Sequence, residues 1–166
     1  VTAFTHDLRQ IWALRVGKEL LSSPALDTRH HMVAISTLDS TVGLDTRTGA
    51  IRFRWSARNG RNNSSPTIGP DGAIRITNWA GFAVAVAPNG QELWRTKLGS
   101  EGFWSSPTLG PSGELYTSGT RDRIAIALSP RGAIRWRTKL ARPVHRFLTQ
   151  TPAGKILIPN QTVALR

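Results

Sequence analysis

A turn glycine followed four residues later by a bulky aromatic returns along this chain at an interval of about 41 residues. Gly49 precedes Phe53, Gly90 precedes Trp94 and Gly132 precedes Trp136, while in the earliest copy Leu8 stands ahead of Trp12. A second series, Gly72, Gly113 and Gly154, marks another turn, with His30 or His31 where the earliest copy has lost its glycine. Trp55 is two positions out of step, so Phe53 holds the aromatic slot in its copy. Self-similarity at this period leaves few choices of fold. Each copy is too short to bury its own apolar face, so the copies must stack on one another.

The copy from Trp104 to Leu140 reads as four short strands. Ser105 to Leu109 is extended and closes in a Gly110-Pro111-Ser112-Gly113 turn, where glycine supplies positive φ and proline sets the bend. Glu114 to Ser118 follows, then a turn at Gly119 to Asp122, then the β-branched, apolar run Arg123 to Leu128. Ser129-Pro130-Arg131-Gly132 turns again into Ala133 to Leu140, whose Ile134, Trp136 and Thr138 are expected on one face at period two. No stretch holds apolar residues at helical spacing without a glycine or proline interruption, so helices are not expected.

The segments Ser22-Ser23-Pro24-Ala25-Leu26, Ser64-Ser65-Pro66-Thr67-Ile68 and Ser105-Ser106-Pro107-Thr108-Leu109, each followed by this pattern of turns and a last-strand aromatic, resemble the pyrroloquinoline-quinone-like β-propeller repeat. The resemblance covers essentially the whole chain and implies an all-β propeller of four-stranded antiparallel blades. It also implies a docking motif of alanine, aspartate, glycine and tryptophan that ties each blade to its neighbour. Gly43, Asp45, Gly49 and Phe53 come nearest to its spacing. The sets Ala85, Gly90, Trp94 and Ala127, Gly132, Trp136 keep the pattern on a turn one residue shorter, with Ala87 and Ser129 in place of aspartate.

Aligned by this repeat, residues 1–17 form the third and last strands of a partial blade, 18–60, 61–101 and 102–141 are full blades, and 142–166 begin another. A first strand is expected near Arg146 to Thr149, a second at Lys155 to Ile158 and a third at Thr162 to Leu165. Closure as a small ring is one solution. The family usually builds about seven or eight blades, so a segment of a larger ring, or a dimer completing one, is the expected arrangement. A chain opening at Val1 reads as a processed or excised piece.

The formal charge is +12, from 22 Lys and Arg against 10 Asp and Glu. The cations cluster at Arg52, Arg54, Arg58 and Arg61, and again at Arg131, Arg135, Arg137, Lys139, Arg142 and Arg146. Arg52, Arg54, Arg135 and Arg137 alternate with last-strand aromatics and are expected on the outer rim, as solvated surface or as a polyanion footprint. Trp79, in a turn, and Trp104, ahead of an innermost strand, stand outside the docking position and are candidate binding aromatics.

Cysteine is absent, which excludes disulfides, thiolate metal sites and the vicinal cysteine pair of the quinoproteins. Glu101, Glu114, Asp122 and Asn78 show no grouping suited to calcium, so neither pyrroloquinoline quinone nor a metal is expected. The adjacent His30 and His31 cannot share one face of a strand, and the serine pairs recur in every full copy, which marks them as architectural. The sequons at Asn62, Asn63 and Asn160 read as chance. No catalytic residue is assigned, and no run reaches membrane-span length. The expected function is a non-catalytic scaffold that binds a protein partner, or itself, through loops and channel mouth. A degenerate quinone-dependent dehydrogenase and a polyanion binder are the alternatives, and the resemblance favours a periplasmic or extracellular setting.

Overall fold

The structure is a computed structural model that describes residues 1–159 apart from 18, 21, 58–60, 63, 101, 104, 146, 147 and 152. The chain is all β, built as consecutive antiparallel sheets. The first sheet pairs β1 (Thr2–Phe4) with β2 (Gln10–Ala13). Three four-stranded sheets follow in simple up-and-down order. They are β3 (Ala25–Asp27), β4 (Met32–Ser36), β5 (Ser40–Asp45) and β6 (Ile51–Ser56); β7 (Thr67–Ile68), β8 (Ile74–Thr77), β9 (Phe82–Val86) and β10 (Glu92–Lys97); and β11 (Thr108–Leu109), β12 (Leu115–Gly119), β13 (Ile124–Leu128) and β14 (Ile134–Lys139). The last sheet pairs β15 (Thr149–Gln150) with β16 (Ile156–Leu157). Among the described residues the sheets at the two ends remain separate, so the blades form an arc. The third strand expected at Thr162 to Leu165 lies outside the described residues, as do Arg58, Arg146 and Trp104.

Each sheet is a blade because its central strands are apolar on both faces, with different sizes on each. In β9 and β13 the sequence alternates small with branched, Ala83 and Ala85 against Val84 and Val86, Ala125 and Ala127 against Ile126 and Leu128. The branched face meets the preceding blade and the small face meets the following one. Phe53, Trp55, Met32 and Ala34 thus pack on Ile74, Ile76, Val84 and Val86. Trp94 and Ala83 pack with Leu115, Ile126 and Leu128. At the ends, Trp12, Leu14 and Val16 meet Val42 and Leu44, and Trp136, Tyr116 and Ala127 meet Leu148, Ile156 and Ile158. The core is therefore a row of interfaces between blades, which is how repeats too thin to be stable alone become stable together.

A bulge sets the direction of each docking aromatic. The pairing of the third with the last strand skips one residue in each of the four sheets where both are described, at Ile11, Arg52, Leu93 and Arg135. The aromatic after the bulge pairs with the smallest residue available: Trp12 with Ala3, Phe53 with Gly43, Trp94 with Ala85, Trp136 with Ala127. The expectation that Ile134, Trp136 and Thr138 share a face is corrected here. Ile134 pairs with Leu128 and Trp136 with Ala127, adjacent residues of opposite faces, because the extra Arg135 resets the alternation.

Candidate functional site

The docking residues form a chain of forward contacts between blades. A Cβ on Gly49 would lie 2.7 Å from the Trp12 ring, on Gly90 2.7 Å from Phe53 and on Gly132 2.6 Å from the Trp94 ring, so each glycine is the surface on which the preceding blade's aromatic rests. All three glycines also have positive φ, between 74° and 90°. The indole N–H groups complete the contact, Trp12 donating to Thr46 O at 2.9 Å and Trp94 to Pro130 O at 3.0 Å. Phe53 makes no such bond, and Trp55 supplies one instead by donating to Glu92 of the next blade at 3.0 Å. Asp45 accepts the backbone N–H groups of Arg47 and Thr48, organising the longer turn of its blade. The Arg52 guanidinium beside it holds its carboxyl far below the usual carboxylate range.

The arginines that follow Phe53, Trp94 and Trp136 reach backward. Arg54 donates to Val16 O at 2.9 Å and to Ser40, Arg137 donates to Lys97 O at 3.3 Å, and Arg95 lies 5.6 Å over the Trp55 ring. Arg52 donates to His30 O and Asp45. Of the four rim arginines singled out by sequence, Arg135, at the bulge, is exposed and makes no side-chain hydrogen bond among the described residues. Trp79 is half-buried in its turn, where its N–H donates to Arg61 O and its C=O accepts from Gly102 N–H.

The serine pairs hold the inner edge. The first serine of each pair bonds across its own blade, Ser22 with Ser36, Ser64 with Thr77 and Ser105 with Ser118. The second bonds between blades, Ser65 Oγ accepting from Ser23 N–H at 2.9 Å and Ser106 Oγ from Ser65 N–H at 3.0 Å. The starts of the first strands of neighbouring blades therefore lie side by side.

A groove lies over the turns that leave those strands. One part, of about 390 Å³, is lined by residues 26–30, by Ile68, Gly69 and Pro70, and by Leu109, Gly110 and Pro111. A second, of about 460 Å³, shares Leu109 and Pro111 and extends past Thr108 to Thr149, Gln150 and Gly154. Leu26 is 62 % exposed at one end. Asp27 is buried there and accepts from the backbone N–H of Arg29 and His30, while His30 Nδ1 lies 2.6 Å from its Oδ2. Burial pushes the Asp27 carboxyl up, but the bonds from His30 and Arg29 outweigh it and leave it lowered. The sequence pointed to this turn only through its missing glycine. Arg75 was legible only as one more cation, yet it is 1 % exposed, chelated by Asp71 at 2.9 and 2.8 Å, and lodged between blades near Pro130 O.

Among the described residues no three His, Cys, Asp or Glu side chains come together as a metal site. The quinoprotein cysteine pair is missing from the sequence as well, so the residues present do not match the family's quinone and calcium shell. No described helix is long and apolar enough to cross a membrane.

Four-stranded blades joined by aromatic-on-glycine docking define a β-propeller, and its blades are similar to the pyrroloquinoline-quinone-like repeat. Within that class, a family model described as outer membrane protein assembly factor BamB matches residues 80–157. Among solved structures it is similar to BamB from Moraxella catarrhalis, with a TM-score of 0.74 and 18% identity over 90% of this chain and 52% of that one. It is also similar to hydrazine synthase from Kuenenia stuttgartiensis, at 0.69 and 16% over 88% and 44%. Quinohemoprotein alcohol dehydrogenase from Comamonas testosteroni follows at 0.60 and 15% over 73% and 21%. The chain thus spans about half the length of the first of these. No curated protein matches it in sequence.

Proposed function

We propose that this chain is a non-catalytic interaction scaffold that holds an extended segment of a protein partner in the groove along its inner turns, at the channel mouth of a larger ring. The supporting observation is the continuity of the groove over the first turns of successive blades, with Leu26, Ile68, Leu109 and exposed prolines along a rigid edge. A row of apolar side chains on a preformed surface suits an extended polypeptide, which loses little by being held where nothing has to move. The likeness to an outer membrane protein assembly factor supports a role as an accessory to the assembly of other proteins, in a periplasmic or extracellular setting. The test is selection from a random-peptide library on the folded chain. Wild type should enrich binders that Leu26→Asp and Leu109→Asp variants of unchanged thermal stability no longer hold. Equal retention by the variants would sink the groove as the site.

The likeness to a quinohemoprotein dehydrogenase keeps an enzyme in the comparison. Reconstitution with pyrroloquinoline quinone and calcium separates the readings: the scaffold should show neither quinone absorbance nor a shift in melting temperature. Retention on heparin at moderate salt with a steep salt dependence would favour the arginine rim as a polyanion surface instead.

A further inference from the structure

The repeats supply their own comparison, and one turn breaks from it. In the second and third full blades the first turn begins with a buried glycine, Gly69 or Gly110, and ends with a glycine at positive φ, Gly72 or Gly113. In the first full blade the turn is one residue longer, since Ala25 pairs with Ala34 whereas Thr67 pairs with Arg75 and Thr108 with Tyr116. Asp27 replaces the first glycine, and His31 takes the left-handed position at φ 49°. An L side chain held in that region costs on the order of 1 kcal/mol, which points to a demand other than folding.

The side chains added by this break meet at the groove. Asp27 is 9 % exposed and fixes His30 through Nδ1. The ring is braced from the next blade, where a Cβ on Gly72 would lie 3.3 Å from His30 Cε1. With Nδ1–H given to the Asp27 carboxylate, Nε2 is the acceptor of the ring and makes no hydrogen bond among the described residues, and the exposed Arg29 side chain, which lines the same part of the groove, makes no hydrogen bond or ion pair among them either. Asp27, the one carboxylate lining this part of the groove, already has its hydrogen bonds from the turn itself.

We propose that this turn reads a carboxylate of the bound segment, an Asp or Glu side chain paired with Arg29 while His30 Nε2 accepts an N–H of the same segment and its apolar neighbours lie over Leu26, Ile68 and Leu109. The inference rests on the scaffold reading and adds the partner's chemistry, an acidic and apolar extended peptide. Apolar lining and prolines beside a single arginine favour a peptide over a nucleic acid or an acidic polysaccharide, which would need cations along its whole track.

The test uses the whole chain and two labelled peptides of alternating Leu and Glu or of alternating Leu and Gln, followed by fluorescence anisotropy. The Glu peptide should bind about tenfold more tightly. Arg29→Gln should erase that difference by weakening the Glu peptide to the level of the Gln peptide, His30→Ala should weaken both peptides alike, and Arg29→Glu should turn the preference toward a Leu and Lys peptide. Equal affinity for the Glu and Gln peptides overturns the carboxylate assignment and leaves the groove reading standing. Failure of both to bind overturns the two together. Heparin binding that exceeds the Glu peptide's and disappears in Arg29→Gln overturns the peptide assignment.

Discussion

Gly132 has no side chain because the Trp94 ring occupies that space, and its φ of 83° would strain any other residue. Gly132→Ala is therefore expected to destabilise by about 2–4 kcal/mol, read from urea denaturation, from combined strain and overpacking. The reverse holds at His31, where φ is 49° without a glycine. His31→Gly should raise stability by up to about 1 kcal/mol, since relief of the left-handed strain exceeds the extra entropy glycine brings to the unfolded chain. Arg75 supplies a third test. Asp71→Ala leaves a guanidinium that is 1 % exposed without its carboxylate and should cost about 3 kcal/mol. Arg75→Leu should cost much less, because Ala34 and Tyr116 fill the equivalent position in the flanking blades. Equal losses would mean that the pair, and not the burial, decides the site.

Along a single blade, two sets of side chains work in opposite directions. The aromatic after the bulge leans forward onto the next turn glycine, and Arg54 and Arg137 reach back to backbone carbonyls in or just past the preceding blade's last strand. The serine pairs do the same work at the inner edge. Ser65→Ala and Ser106→Ala each remove the acceptor for a backbone N–H of the preceding blade, at Ser23 and Ser65. Each should cost about 1 kcal/mol, and the two together should be close to additive because they belong to different blade junctions. The aromatics, glycines and serine pairs were legible in sequence because each recurs at one period. The bulge was not. A skipped residue leaves composition and spacing unchanged, so Ile134 and Trp136 look like neighbours on one face until the pairing with Leu128 and Ala127 separates them.

For the molecule as a whole, acid is the natural stress. Hydrogen bonds from Arg75 lower the Asp71 carboxyl, and those from Ser100 lower Asp122. A carboxyl lowered in the fold contributes stability that is complete above its unfolded value of 3.8 and is lost as pH falls through the folded value. The urea midpoint should hold level from about pH 8 to 5 and fall steeply below about pH 4, with a net charge of +12 adding self-repulsion as carboxylates protonate. A midpoint that stays level to about pH 2 would contradict the ion pairing described here.

The repeat period and the strand content were settled by the amino-acid sequence alone, because stacked copies must place the same residue types at the same steps to bury the same faces. Which cations are engaged, which turn is built differently and where a groove opens were decided only by tertiary structure. Arg54, Arg75, Arg135 and Arg137 are one residue type in the sequence. In the fold one is buried, two are clasped to the preceding blade and one faces solvent, and the two clasps depend on partners 38 and 40 positions away that no local pattern connects.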